Sequence, residues 1–245
     1  WVRTSRNFAR LNDHCAVGNP AHAVSLLGLD TLVALAKVPG VFFPLEQENS
    51  QGSLLRTLST HSVRVAEAAR EIAKFETAES ETAASETEDD TLIGDAYLAG
   101  LLHDVGFILI DQYLHKPFTQ IVDALTEQSD ICGVESKILG FDHAELGQFV
   151  GSQWSLPEHL TASIRYHHDP LEYVGEHQQM VYTVALANFF CDSKGLSARG
   201  MANKLVPPAE VFHGLGLDKP QVTAIWEQLD QALKAADIMA MVRAG

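Results

Sequence analysis

Any fold adopted by this chain must bury the run Ala96-Tyr97-Leu98-Ala99-Gly100-Leu101-Leu102 and then find partners for the His103-Asp104 pair that follows it. The run is too short to cross a bilayer, which takes about 20 apolar residues, so it reads as a buried helix continuing to Gly106. A carboxylate at the end of such a helix is costly unless something compensates its charge. Two arrangements do so. His103 and Asp104 are either a hydrogen-bonded core pair, or ligands of a metal ion that takes an imidazole nitrogen and a carboxylate oxygen together.

The rest of the chain supplies helices. Residues 53–75 place Leu54, Leu58, His61, Val65, Ala69 and Ile72 at three- and four-residue steps, the stripe of an amphipathic helix, so His61 points into the core. Upstream, short helices are predicted over 21–27, opened by Asn19-Pro20, and over 30–37, capped by Asp30 and broken at Pro39-Gly40; a loop runs from 42 to 51. Residues 76–91 alternate Glu, Thr, Ser and Ala with Asp89-Asp90, the composition of a solvated insertion with too little apolar surface to fold alone. Residues 107–114, 117–128 and 134–139 read as helices, the last closed by Gly140. Asp142 caps a helix over 143–154, with Glu145 completing a capping box, and His143, Gly147, Val150 and Trp154 share one face of it. Pro157 opens the next, in which Leu160, Ile164 and His167 share a face before Pro170 ends it. Residues 177–194 form a helix closed by Gly195, and Pro207-Pro208 and Lys219-Pro220 start two more. No stretch alternates with period two, so the expected architecture is all-α.

Composition removes several functions. A net charge of −15 over 245 residues argues against nucleic acid and against anionic membrane surfaces, both of which need a basic face. The three cysteines, Cys15, Cys132 and Cys191, have no CxxC spacing and read as reduced thiols of a cytosolic protein. A chain that starts at Trp1 without methionine reads as a trimmed piece of something longer.

Polar residues on predicted inward faces are His61, His103, Asp104, His143, His167, His168, Asn188 and Asp192. Neutral imidazoles with a carboxylate suit zinc, iron, nickel or manganese. Two such ions roughly 3.5–4 Å apart would stabilise both attacking and leaving oxygens of a hydrolysis. The other reading of the same set is a metal-free network of hydrogen-bonded core histidines.

The segments Leu58-Ser59-Thr60-His61-Ser62, Ala96 through Gly106, Gly140-Phe141-Asp142-His143-Ala144-Glu145-Leu146-Gly147, Trp154-Ser155-Leu156-Pro157 and Tyr166-His167-His168-Asp169-Pro170 resemble the HDOD domain. That is a bacterial all-helical relative of the HD-superfamily metal-dependent phosphohydrolases and of the HD-GYP cyclic-dinucleotide phosphodiesterases. The resemblance covers about residues 15–195 and implies an HDOD domain over 1–198, with an HD-like core from about 50, followed by a C-terminal helical segment over 199–245. Residues 20–32 look like the end of the family's N-terminal lobe. It also implies that His61 is the first metal-ligand position, that His103 and Asp104 form the catalytic HD doublet with Asp104 bridging, and that His143, His167 and His168 complete a two-metal set of divalent or mixed-valence ions. Two departures stand out. The position of the superfamily's closing Asp falls at Asn188, with Asp192 one turn along the same helix face. And His167-His168-Asp169-Pro170-Leu171-Glu172-Tyr173 contains no Gly-Tyr-Pro signature, which speaks against cyclic di-GMP hydrolysis.

Three functions follow as expectations: a signal-transduction module that works through protein partners, a metal-dependent phosphohydrolase acting on a nucleotide or other phosphoester, or a metal-free interaction domain. A phosphate pocket usually draws on several cations. Arg64 and Arg165 are the candidates here.

Overall fold

The computed structural model describes residues 50–79, 86–126, 129–196 and 206–243, and among them every regular element is helical. The helices predicted over 21–27 and 30–37, the N-terminal lobe over 20–32 and most of the loop over 42–51 lie outside the described residues. In chain order the helices are α1 (Ser50–Glu79), α2 (Glu86–Leu102), α3 (Val105–Tyr113), α4 (His115–Ala124), α5 (Ile131–Leu139), α6 (His143–Gln153), α7 (Glu158–Tyr166), a 3-10 turn (Pro170–Glu172), α8 (Gln178–Ser193), α9 (Ala209–Gly214) and α10 (Lys219–Arg243).

The long helix α1 is the spine, packed along its length by α2, α8 and α10. Its stripe is buried as the spacing predicts: Leu58, His61, Val65, Ala69 and Ile72 all face inward. One apolar cluster joins α1, α2 and α8 to the C-terminal helices through Val65, Ile72, Val184, Leu186, Ile225 and Leu229. A second joins α3, α4, α5 and α7 through Phe107, Ile110, Phe118, Ile121, Ile131 and Ile164. Leu102 packs against both, so the turn that follows it sits where the two halves of the core meet.

Several predicted boundaries move. The buried helix stops at Leu102 rather than Gly106, because the His103 ring turns back so that its Nδ1–H donates to Gly100 O (2.7 Å), closing the last turn of α2. Gly106 then belongs to α3, where a Cβ would overlap the His143 carbonyl oxygen and stand 2.8 Å from Gly147 N. Only glycine lets α3 and α6 approach this closely. Both ends of the acidic stretch 76–91 are helical: α1 runs through Glu79 and α2 begins at Glu86, leaving residues 80–85 outside the described set. Tertiary contacts override composition there, because Glu76 accepts hydrogen bonds from Thr183 Oγ1 (2.9 Å) and Gln179 Nε2 (3.3 Å) of α8. The helix predicted over 117–128 runs over His115–Ala124 instead, its start tied by His115 Nδ1 to Asp111 (2.9 Å).

The stretch Asp89–Asp111 is long and apolar enough to span a bilayer by composition. It is two-thirds buried within the fold and is divided at His103-Asp104 into two helices.

Candidate metal centre

The site is assembled from five places in the bundle. His61 comes from the inward stripe of α1, and His103 and Asp104 from the α2–α3 turn. His143 is the first residue of α6, held by the predicted capping box: Asp142 accepts from the Glu145 N–H (2.7 Å), and Glu145 accepts from the Asp142 N–H (3.3 Å). His167 caps the end of α7 and His168 follows it. Asn188 projects from α8. His61, His103, His143, His167 and Asn188 are buried, and His168 is partly so.

Asp104 is the hub. Its Oδ2 lies 3.4 Å from His103 Nε2 and 3.8 Å from His61 Nε2. Its Oδ1 lies 3.4 Å from His143 Nε2 and 3.5 Å from His167 Nε2. His168 Nε2 closes the second group at 3.1 Å from His143 Nε2. The potential ligand atoms therefore fall into two sets, His61–His103–Asp104 and Asp104–His143–His167–His168, each within 4.8 Å of one another and sharing one carboxylate.

The outer ring nitrogens fix the tautomers. His61 Nδ1 meets Leu196 O (2.8 Å), His103 Nδ1 meets Gly100 O, and His167 Nδ1 meets Ile164 O (2.9 Å). A carbonyl only accepts, so each Nδ1 carries the proton and each Nε2 turns a bare lone pair toward Asp104. Three lone pairs converging on a carboxylate repel it and each other unless a cation lies among them. Two further observations support that fit. His103 Nε2 is buried with no hydrogen-bond partner, and His61 Nε2 faces Asn188 Oδ1, another acceptor, at 3.0 Å. Burial holds His61 and His167 down to about 4, so both are neutral near pH 7, the state a metal ligand needs. The donor set thus fits one or two transition-metal ions.

His143 differs. Its Nδ1–H donates to Glu135 Oε2 (2.7 Å), which also accepts the His143 backbone N–H (2.9 Å). Burial alone would lower its pKa, yet the Glu135 carboxylate raises it to about 9. A carboxylate behind a metal-facing imidazole orients the ring and strengthens its donor nitrogen. Glu135 has no exposed surface, and the sequence reading missed it. The available signal was its place four residues after Ile131 on a short helix, which puts it on the apolar face.

The remaining candidates lie around this centre. Asp192 is buried in the wall of a cleft of about 100 Å³, outside the two converging sets. The cleft is lined by His167, His168, Asn188, Phe189 and the Val206-Pro207-Pro208 segment, and among the described residues no Lys or Arg lines it. Arg165 is drawn to Glu145 (3.6 Å) and stacks over Tyr166, and Arg64 lies near Cys191, where its charge acts on the thiol.

An all-helical bundle with a His-Asp doublet in an interhelical turn, surrounded by histidines from neighbouring helices, defines an HD-type domain. The chain belongs to the HDOD domain family, whose profile matches residues 8–170. Solved structures agree on the fold. A protein from Marinobacter aquaeolei VT8, provisionally assigned to signal transduction, superposes with a TM-score of 0.66 at 19% identity, over 98% of this chain and 58% of that one. An HDOD domain protein of unknown function from Geobacter sulfurreducens gives 0.62 at 24% identity, over 96% and 81%. A protein from Shewanella amazonensis SB2B, provisionally assigned as a phosphohydrolase, gives 0.52 at 21% identity, over 96% and 80%. In sequence, 103 residues (42% of this chain) are 31% identical to an uncharacterized protein of Treponema pallidum (strain Nichols). The match spans only 20% of that protein.

Proposed function

We propose that this is a regulatory, signal-transducing HDOD module organised around a buried metal centre, acting through a protein partner in the cytoplasm. The carrying observation is the shared Asp104 carboxylate, faced by two histidine sets contributed by α1, the α2–α3 turn, α6 and the end of α7. His61, His103 and Asp104 would hold one ion and Asp104, His143, His167 and His168 another, tying α1, α6 and α7 to the turn between α2 and α3. Such a metal links the stability of both halves of the core to its own occupancy. The net charge of −15 favours a protein partner over nucleic acid.

The second reading, a metal-dependent phosphohydrolase, is favoured by the nearly complete ligand set. When bound, a metal of this kind supplies a Lewis acid for a phosphoryl oxygen and a more acidic water. Against it stands Asn188, an amide 3.0 Å from His61 Nε2 where a carboxylate would neutralise the first ion. One experiment separates the two readings: thermal unfolding with and without chelator, beside turnover of p-nitrophenyl phosphate and its bis-ester under the same metals. The regulatory reading expects a chelator-sensitive melting temperature and no turnover. Metal-dependent turnover lost in Asp104→Ala would put the phosphohydrolase first.

A further inference from the structure

A third group of metal-ligating side chains lies behind His143. Cys132, Glu135 and His143 bring ligand atoms within 4.8 Å of one another. Cys132 and Glu135 stand three residues apart on α5, so they share a face. Glu135 Oε2 is committed to His143, accepting from its backbone N–H and from Nδ1–H. Oε1 is different: it is buried and has no hydrogen-bond partner. An orphaned carboxylate oxygen in a residue with no exposed surface calls for a donor or a cation. Cys132 is only partly buried and keeps a route to solvent. Burial first, and then the carboxylates of Asp142, Glu135, Asp130 and Asp169, push its thiol upward, so the surroundings disfavour a bare thiolate or any anionic ligand and favour a cation that brings its own positive charge.

We propose that Cys132 Sγ and Glu135 Oε1 form a separate site for a thiophilic divalent cation of the zinc or cadmium class, reached from the surface and coupled through His143 to the inner centre. Sulfur and carboxylate with solvent completing the shell is a donor set such ions accept. Binding replaces the thiol S–H bond with a sulfur–metal bond and releases the proton to solvent; nothing is oxidised or reduced. Charge drawn from Glu135 toward the outer cation weakens its hold on His143 Nδ1–H and the donor strength of Nε2 facing Asp104. The outer cation therefore loosens the inner one. This coupling rests on the metal centre proposed above, whereas the outer site stands without it.

Cobalt(II) is the probe, because thiolate-to-cobalt charge transfer gives a near-ultraviolet band that histidine and carboxylate ligands do not. Titrating the whole chain should develop one equivalent of that band. It should vanish in Cys132→Ser, weaken at least about 10-fold in Glu135→Gln, and persist in Cys191→Ala and Asp104→Asn. Persistence in Asp104→Asn keeps a failure of the inner centre distinct from a failure of the outer site. A wild-type protein without the band, or a band that survives Cys132→Ser, overturns the site. For the coupling, saturating zinc should speed loss of the inner metal about 10-fold in the wild type and leave Cys132→Ser unchanged. Equal rates in the two proteins overturn the coupling.

Discussion

Gly106→Ala is the sharpest mechanical test of how the fold positions the centre. A methyl group at this position overlaps the His143 carbonyl oxygen and stands 2.8 Å from Gly147 N, both of them backbone atoms with no rotamer to yield. Relieving the overlap means parting α3 from α6 by about 1 Å, a strain that costs about 3 kcal/mol at this kind of overpacked site. For a chain of this size that corresponds to a melting temperature lower by roughly 6–12 °C. The displacement falls on the first turn of α6, which carries His143. Ligand distances at a metal site hold to about 0.2 Å, so a 1 Å shift takes His143 out of reach of its ion. Melting temperature and metal content should therefore fall together. Gly140→Ala is the control: Gly140 has φ 85° but nothing within 4 Å of its Cβ position, so the change should cost about 1 kcal/mol of backbone strain and leave metal content alone. A Gly106→Ala protein with wild-type stability and wild-type metal content refutes the claim that this helix contact sets the site.

Three further outcomes are expected. His103→Ala removes a buried candidate ligand whose Nε2 has no hydrogen-bond partner, and should lower metal content and melting temperature together; loss of one without the other contradicts a metal that stabilises the fold. Asn188→Asp puts a carboxylate 3.0 Å from His61 Nε2 and should raise metal retained per chain, read by elemental analysis after dialysis; no rise means Asn188 does not face the first ion. Burial raises Glu76 to about 7 from an ordinary 4.5, while its bonds from Thr183 and Gln179 pull the other way. The folded state holds that proton more tightly than the unfolded chain does, so this contribution is whole below about pH 4.5 and is lost as pH rises through about 7. Glu76→Gln should flatten the decline in urea stability across that window by about 1–2 kcal/mol, a figure already reduced for partial solvent contact. An identical slope in the variant removes Glu76 from the account.

Helical periodicity made most of the fold legible. The three- and four-residue steps placed His61 on the inward face of α1, and the Asp142–Glu145 pair located the start of α6 and with it His143. What stayed hidden depends on contacts between distant elements. The break at His103-Asp104 follows from a ring turning back on Gly100 O, which no local pattern signals. Residues 76–79 and 86–91 are helical because α8 and the apolar core meet their neighbours, despite a composition that reads as solvated spacer. Glu135 was invisible as a partner of His143 because the two are joined across a helix–helix turn rather than within one motif. Asp192 shares a helix face with Asn188 in sequence, yet on the structure it lines the cleft instead of joining the groups around Asp104.

Elemental analysis of protein purified without an affinity metal, beside an Asp104→Ala control, tests the central claim most directly. Among the described residues Asp104 is the one carboxylate common to both histidine sets, so its loss would remove both candidate sites at once. The account predicts about one to two equivalents of iron, manganese, zinc or nickel in the wild type and none in the variant. Wild-type protein that is free of metal, takes up none on incubation, and melts at the same temperature with and without chelator contradicts it.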